Sequence, residues 1–144
     1  MNAKVLAIAL AGSCMIAEPG AAQQGWLAYN RHQVIEVGDG VFEVIGRPGS
    51  GAANYWCGAG DYIMTRLRQS HRQRIYIWRG VGPSETRPGY KAMQFALRPA
   101  PGSEGFEPGY SLSMHAVGDN MRATTAREYC FEGSYEDDGW LLRP

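Results

Sequence analysis

The sequence predicts an α+β fold: a small single domain with an N-terminal β-hairpin, one main helix over about 54–69, further antiparallel strands and a short C-terminal helix. Three observations predict it. Two β-branched runs flank Gly38-Asp39-Gly40. An apolar face at helical spacing runs from Trp56 to Leu67. Two cysteines, Cys57 and Cys130, remain for a single disulfide once a leader is set aside.

The chain opens MNAKVLAIALAGSCMIAEPGAAQQGW. Lys4 supplies a short positive start, residues 5–17 are uncharged and apolar or small, and Glu18-Pro19 breaks the run before Gly20-Ala21-Ala22. This is the layout of a secretory signal peptide, with cleavage expected after Ala22. Residues 1–22 are therefore expected to be the leader, and 23–144 one exported domain, periplasmic or secreted. The apolar run is shorter than the roughly 20 residues of a membrane span, so no stable span is expected. A second reading takes Ala11-Gly12-Ser13-Cys14 as a lipobox and Cys14 as a lipid anchor. Against it, the apolar stretch before Cys14 is short, and the leucine usual three places ahead is absent.

About 120 residues follow the leader, enough for one hydrophobic core. The 14 basic and 14 acidic side chains balance, and the leader removes one of each, Lys4 and Glu18. A balanced chain is not built for nucleic acid or for broad attraction to anionic membranes. The lysine left after the leader is Lys91, beside 12 arginines. Either base composition or a need for the planar guanidinium fork accounts for that bias.

Residues 23–32 read as a polar lead-in docked by Trp26. In QVIEVGDGVFEVIG, 34–37 and 41–45 are strands, and Gly38-Asp39-Gly40 supplies left-handed turn positions. Pro48, Gly49 and Gly51 then punctuate the chain. Trp56, Ala59, Ile63 and Leu67 fall at i, i+3, i+7 and i+11, with Ser50 or Asn54 as the expected N-cap. Gly58 and Gly60 each weaken a helix by about 1 kcal/mol relative to alanine, which points to close approach of a sheet or of the second half of the disulfide.

RIYIWRGVG alternates, with Ile75 and Ile77 on one side and Tyr76 and Trp78 on the other. Residues 90–97 form a strand of weaker alternation, and 98–109 a proline-rich loop. YSLSMHAV, 110–117, is expected as a further strand. MRATTAREYCF admits helix or strand, and a short helix starting near Asn120 is preferred.

The cysteines decide between structure and chemistry. In an oxidising compartment an even count in a small domain reads as a disulfide, and two cysteines allow one connectivity. Closing the 73-residue separation would contribute roughly 4 kcal/mol on a chain-entropy basis. WCGAG, from Trp56 to Gly60, resembles the Trp-Cys-Gly-x-Cys stretch of thioredoxin-like proteins over five residues. Gly60 stands where the second cysteine belongs, so the dithiol cycle cannot run within the motif and no family is assigned. A cysteine hydrolase would need a histidine and an orienting group. Of His32, His71 and His115, the last, with Asp119 or Asn120, is the best available partner set.

Other chemistry finds no motif. No His-x-His, His-Glu-x-x-His or paired-cysteine pattern points to a metal, and the carboxylates at 136–138 lack the spacing of an EF-hand. The glycines of GRPGSGAAN match neither a dinucleotide nor a P-loop fingerprint, and no cofactor is expected. The basic run is more distinctive. Arg66, Arg68, Arg72, Arg74 and Arg79 occur with no acidic residue between Asp61 and Glu85, next to Tyr76 and Trp78. Either this run neutralises the acidic C-terminal segment, or Arg66, Arg68, Arg72, Arg74, Tyr76 and Trp78 form a binding patch for an envelope protein or an anionic ligand. The expectation is an exported, disulfide-stabilised domain acting by binding or structure in the cell envelope. The alternative is a cysteine-dependent enzyme using Cys57 and His115.

Overall fold

The structure is a computed structural model that describes residues 24–132. The expected leader, the lipid-anchor alternative at Cys14 and the acidic stretch at 136–138 lie outside the described residues.

Six strands form one antiparallel sheet: β1 (Trp26–Leu27), β2 (Gln33–Gly38), β3 (Val41–Ile45), β4 (Arg74–Pro83), β5 (Lys91–Ala96) and β6 (Asn120–Arg122). Their spatial order is β1-β2-β3-β5-β4-β6. The hairpin β2–β3 turns where expected: Gly38, Asp39 and Gly40 have φ of 136°, 53° and 73°, the left-handed half of the map that glycine tolerates best. Trp26 docks as expected, its ring centroid 5.6 Å from that of Tyr62.

Helix α1 (Ala52–Asp61) and a π-helical turn (Tyr62–Arg66) cross one face of this sheet. The expected N-cap is corrected. Gly51 takes that place, and Asn54, three residues on, accepts the Gly51 N–H through its Oδ1 at 2.9 Å. The helical face holds: Trp56, Ala59 and Ile63 are fully buried, against Val34, Phe42, Val44, Ile77, Met93 and Phe95 of the sheet. Each large apolar side chain buried here contributes about 1.5–3 kcal/mol. Both α1 glycines mark close approach. A Cβ on Gly58 would lie 2.7 Å from Val44 Cγ1, and one on Gly60 would lie 2.8 Å from the Ala126 carbonyl carbon.

The second element that Gly60 admits is α2 (Ala123–Glu128). Its segment resolves the helix-or-strand choice as both in turn. Asn120 to Arg122 first pair with Tyr76 to Arg74 of β4, and the helix begins at Ala123 rather than near Asn120. Cys57 of α1 and Cys130 just past α2 form the expected disulfide, with Cα atoms 4.8 Å apart. Asp61 reinforces the same junction, accepting from Arg127 Nε at 3.1 Å, Thr65 Oγ1 at 2.8 Å and the Tyr29 N–H at 2.8 Å.

The expected strand at 110–117 is absent. That segment is a loop bending along β4, touching it where Val81 N–H donates to the Met114 carbonyl at 2.7 Å. Ser113 explains the break: its Oγ accepts from the N–H of both His115 and Ala116, each at 3.0 Å. A side chain that satisfies local amides competes with a ladder and curls the backbone.

Candidate functional site

The helices cover one face of the sheet; the other face has a polar centre. Glu43 of β3, fully buried, stands opposite Gln94 of β5. The loop after β4 folds over it. Ser84 Oγ, Thr86 Oγ1 and the Thr86 and Glu85 N–H groups all donate to the Glu43 carboxylate, with Gln94 Nε2 at 3.4 Å. Burial alone would raise this carboxyl. The combined hydrogen bonds from Ser84, Thr86 and Glu85 outweigh it and hold the carboxyl below its ordinary value. Glu43 thus latches the loop in its ionised form, and Ser84 Oγ passes the latch on by accepting the Arg87 N–H at 2.8 Å.

Arg87 and Arg47 are set by matching turns. GRPGS and TRPGY each contain Arg-Pro-Gly. In both, the fourth residue donates back to the arginine carbonyl, Ser50 to Arg47 at 3.0 Å and Tyr90 to Arg87 at 3.1 Å. Gly49 and Gly89 have φ of 84° and 86°. Proline second and left-handed glycine third is the chemistry of a type II turn. A third arginine, Arg31, lies in the tight turn between β1 and β2, where Ala28 N–H donates to the His32 carbonyl and Arg31 N–H to the Ala28 carbonyl, both at 2.9 Å. Its φ of 66° is uncommon for a residue with a side chain.

Arg31, Arg47 and Arg87 line one cleft of about 400 Å³, with Leu27, Ile45 and Tyr90 among its apolar walls. Among the described residues no carboxylate lines it. On the other side of the Arg47 turn, a cleft of about 470 Å³ adds Lys91 and has no acidic wall among the described residues. Like charges held together on separate turns create a local positive potential that suits phosphate or carboxylate groups, which the guanidinium fork binds through two parallel hydrogen bonds.

The two turns carrying Arg31 and Arg47 are pinned to each other. His32 Nε2 lies 2.7 Å from Ser50 Oγ, and His32 Nδ1 lies 3.2 Å from the Asn30 carbonyl. A carbonyl only accepts, so Nδ1 carries the proton and Nε2 accepts from the Ser50 hydroxyl. Burial, joined by the nearby Arg47 charge, keeps His32 below its ordinary value, so the ring is neutral at pH 7.

The residues of the expected patch fall in three places. Arg74, Tyr76 and Trp78 alternate with the buried Ile75 and Ile77 and so share the rear face of β4. Arg74 donates to Asn120 Oδ1, and the Arg98 guanidinium lies 4.8 Å from the Trp78 ring centroid. Arg66 instead lines a cleft of about 780 Å³ with Trp26, Glu36 and Tyr62, by the β1–β2 side of the sheet. Arg68 and Arg72 are exposed in the connection to β4. Charge density along the sequence pointed to residues 66–79. The twin Arg-Pro-Gly turns, 40 residues apart, were the available signal for the other cleft.

The cysteine alternative is corrected on two counts. The Cys57 sulfur is bonded to Cys130, so this oxidised protein has no thiolate there. His115 lies in the exposed loop rather than in a strand, and Asn120 commits its side chain to Arg74 and to the Gly118 carbonyl. Among the described residues no helix is long and apolar enough to cross a membrane. No protein-family model, curated protein or solved structure matches the chain.

Proposed function

We propose that this chain is an exported, periplasmic or secreted domain that works by binding in the cell envelope, and that its ligand is anionic. The single observation that carries the reading is the cleft where Arg31 and Arg47 meet, which no carboxylate of the described residues lines. The leader-like start of the sequence and the Cys57–Cys130 bond support export, because structural disulfides persist in oxidising compartments. A cleft of this size takes a small multivalent anion or a short acidic group of a larger partner.

Calorimetry of the disulfide-intact protein with pyrophosphate, at low ionic strength, tests the reading. Arg31→Glu/Arg47→Glu should weaken binding by at least about tenfold, while Arg66→Glu/Arg68→Glu/Arg72→Glu should leave it near wild type. Loss only in the triple variant would move the site to the originally expected patch. No heat of binding in the wild-type protein would remove the anion reading.

A further inference from the structure

From the Asn30 carbonyl, His32 and Ser50, in contact in that order, we infer that Ser50 is an acyl-accepting nucleophile with His32 as its general base, acting on esters whose acyl group carries a carboxylate. The Ser50–His32 chemistry goes beyond anion binding, while the preference for an anionic acyl group rests on Arg47, which the proposed function also uses. The arrangement follows the general logic of an activated hydroxyl: nucleophile within hydrogen-bond reach of a base, and base fixed by a third group. Ser50 Oγ is 2.7 Å from His32 Nε2, and the Asn30 carbonyl, 3.2 Å from Nδ1, selects the tautomer that leaves Nε2 free to accept a proton.

The surroundings hold this geometry. Asn30 is fixed in turn, its Nδ2 donating to the Asn54 carbonyl at 2.8 Å and its Oδ1 accepting the His32 N–H at 3.3 Å. Tyr55 packs edge-on against the imidazole, ring centroids 6.3 Å apart. The Arg47 N–H donates to Ser50 Oγ at 2.9 Å, leaving the hydroxyl proton to His32. His32 is 4 % exposed, whereas Ser50 is half-buried and borders two clefts, of about 490 and 470 Å³. His32 lines the first of these clefts too, so the nearly buried base and the hydroxyl face the same space. Arg47 lines both clefts and is placed to take a carboxylate on the acyl group.

In the reaction, Ser50 Oγ bonds to the ester carbonyl carbon while its proton passes to His32 Nε2. The bond from that carbon to the leaving oxygen breaks, and the departing alcohol takes the proton from His32. Water then attacks the acyl-serine, giving one proton to His32. Ser50 Oγ leaves with that proton as the acid departs. Ester and water become acid and alcohol. With a carbonyl rather than a carboxylate behind the imidazole, the imidazolium is less stabilised and turnover should be slow.

A neutral fluorophosphonate reads Ser50 without requiring an anion site. Intact-mass and peptide analysis should find one adduct, on Ser50, formed faster as pH rises through an ionisation below 6.5. His32→Gln should slow labelling by about 100-fold, the usual scale of general-base assistance. Ser50→Ala, which removes only a hydroxyl, should abolish the adduct with the circular dichroism unchanged. The wild-type protein should cleave 4-nitrophenyl hemisuccinate faster than 4-nitrophenyl acetate, and Arg47→Ala should erase that preference through KM. An unlabelled wild-type Ser50 overturns the inference, as does labelling at the same rate in folded His32→Gln.

Discussion

The two faces of the sheet are held by different physics. The helix-covered face is apolar, continuous and covalently stapled: Trp56, Ile63, Phe95 and Ile77 are fully buried there, and Cys57–Cys130 ties α1 to the segment after α2. The rear face has a carboxylate at its centre, and a loop is hydrogen-bonded onto it. Burial on the first face is non-directional and tolerant. On the second, a few oriented bonds decide where Arg87 stands. The scaffold and the candidate site can therefore be damaged separately.

The largest expected effect falls on the helix face. Cys57→Ser/Cys130→Ser should lower unfolding free energy by about 4 kcal/mol, measured by urea denaturation. Pyrophosphate binding per folded molecule should persist, because the staple joins α1 to the segment after α2 and no arginine turn contains either cysteine. If binding vanished while the fold remained, the two faces would not be separable. Next comes the rear face. Glu43→Ala should cost about 3 kcal/mol by leaving the donors of Ser84, Thr86 and Glu85 without their acceptor. It should also speed hydrogen exchange at the Thr86 N–H and weaken anion binding through Arg87. A stability loss with no change in exchange at 84–87 would contradict the latch.

These two regions also differ in how far they could be read from the chain. Periodicity placed the hairpin, the α1 face, the alternation of β4 and the approach of Gly58 and Gly60, because apolar burial repeats at the period of the element. The disulfide followed from counting. The rear face has no period to read: Glu43 sits among strand residues and meets partners some 41 to 51 residues later, a contact fixed only by the folded loop. Arg31, Arg47 and Arg87 converge for the same reason, and along the chain the densest basic run is 66–79 instead. At 110–117 the alternation was present, but Ser113 satisfied the amides locally.

Gly60→Ala acts on the helix face alone. Its added methyl would press on the α2 backbone at Ala123 and Ala126, for an expected loss of about 2 kcal/mol by thermal denaturation. Labelling at Ser50 should be unaffected. The smallest effect is in pH. His32 is held below its ordinary value in the fold, so the unfolded chain binds its proton more readily. Its contribution to stability is therefore complete above about pH 6.5 and declines as pH falls through the folded-state value. Glu43, also depressed, adds a second decline below its ordinary value near 4.5. Urea midpoints between pH 7 and 4 should fall in that order, and His32→Gln should remove the upper step alone.

The most direct measurement is a backbone-amide NMR titration of the disulfide-intact protein with pyrophosphate. The predicted result is a set of shifts confined to three turns: Arg31 and its neighbours, the turn of Arg47 to Ser50, and the turn of Arg87 to Tyr90. Shifts centred instead on Arg66, Arg68 and Arg72, or no shifts at all, would contradict the assignment of the rear-face arginine cleft as the binding site.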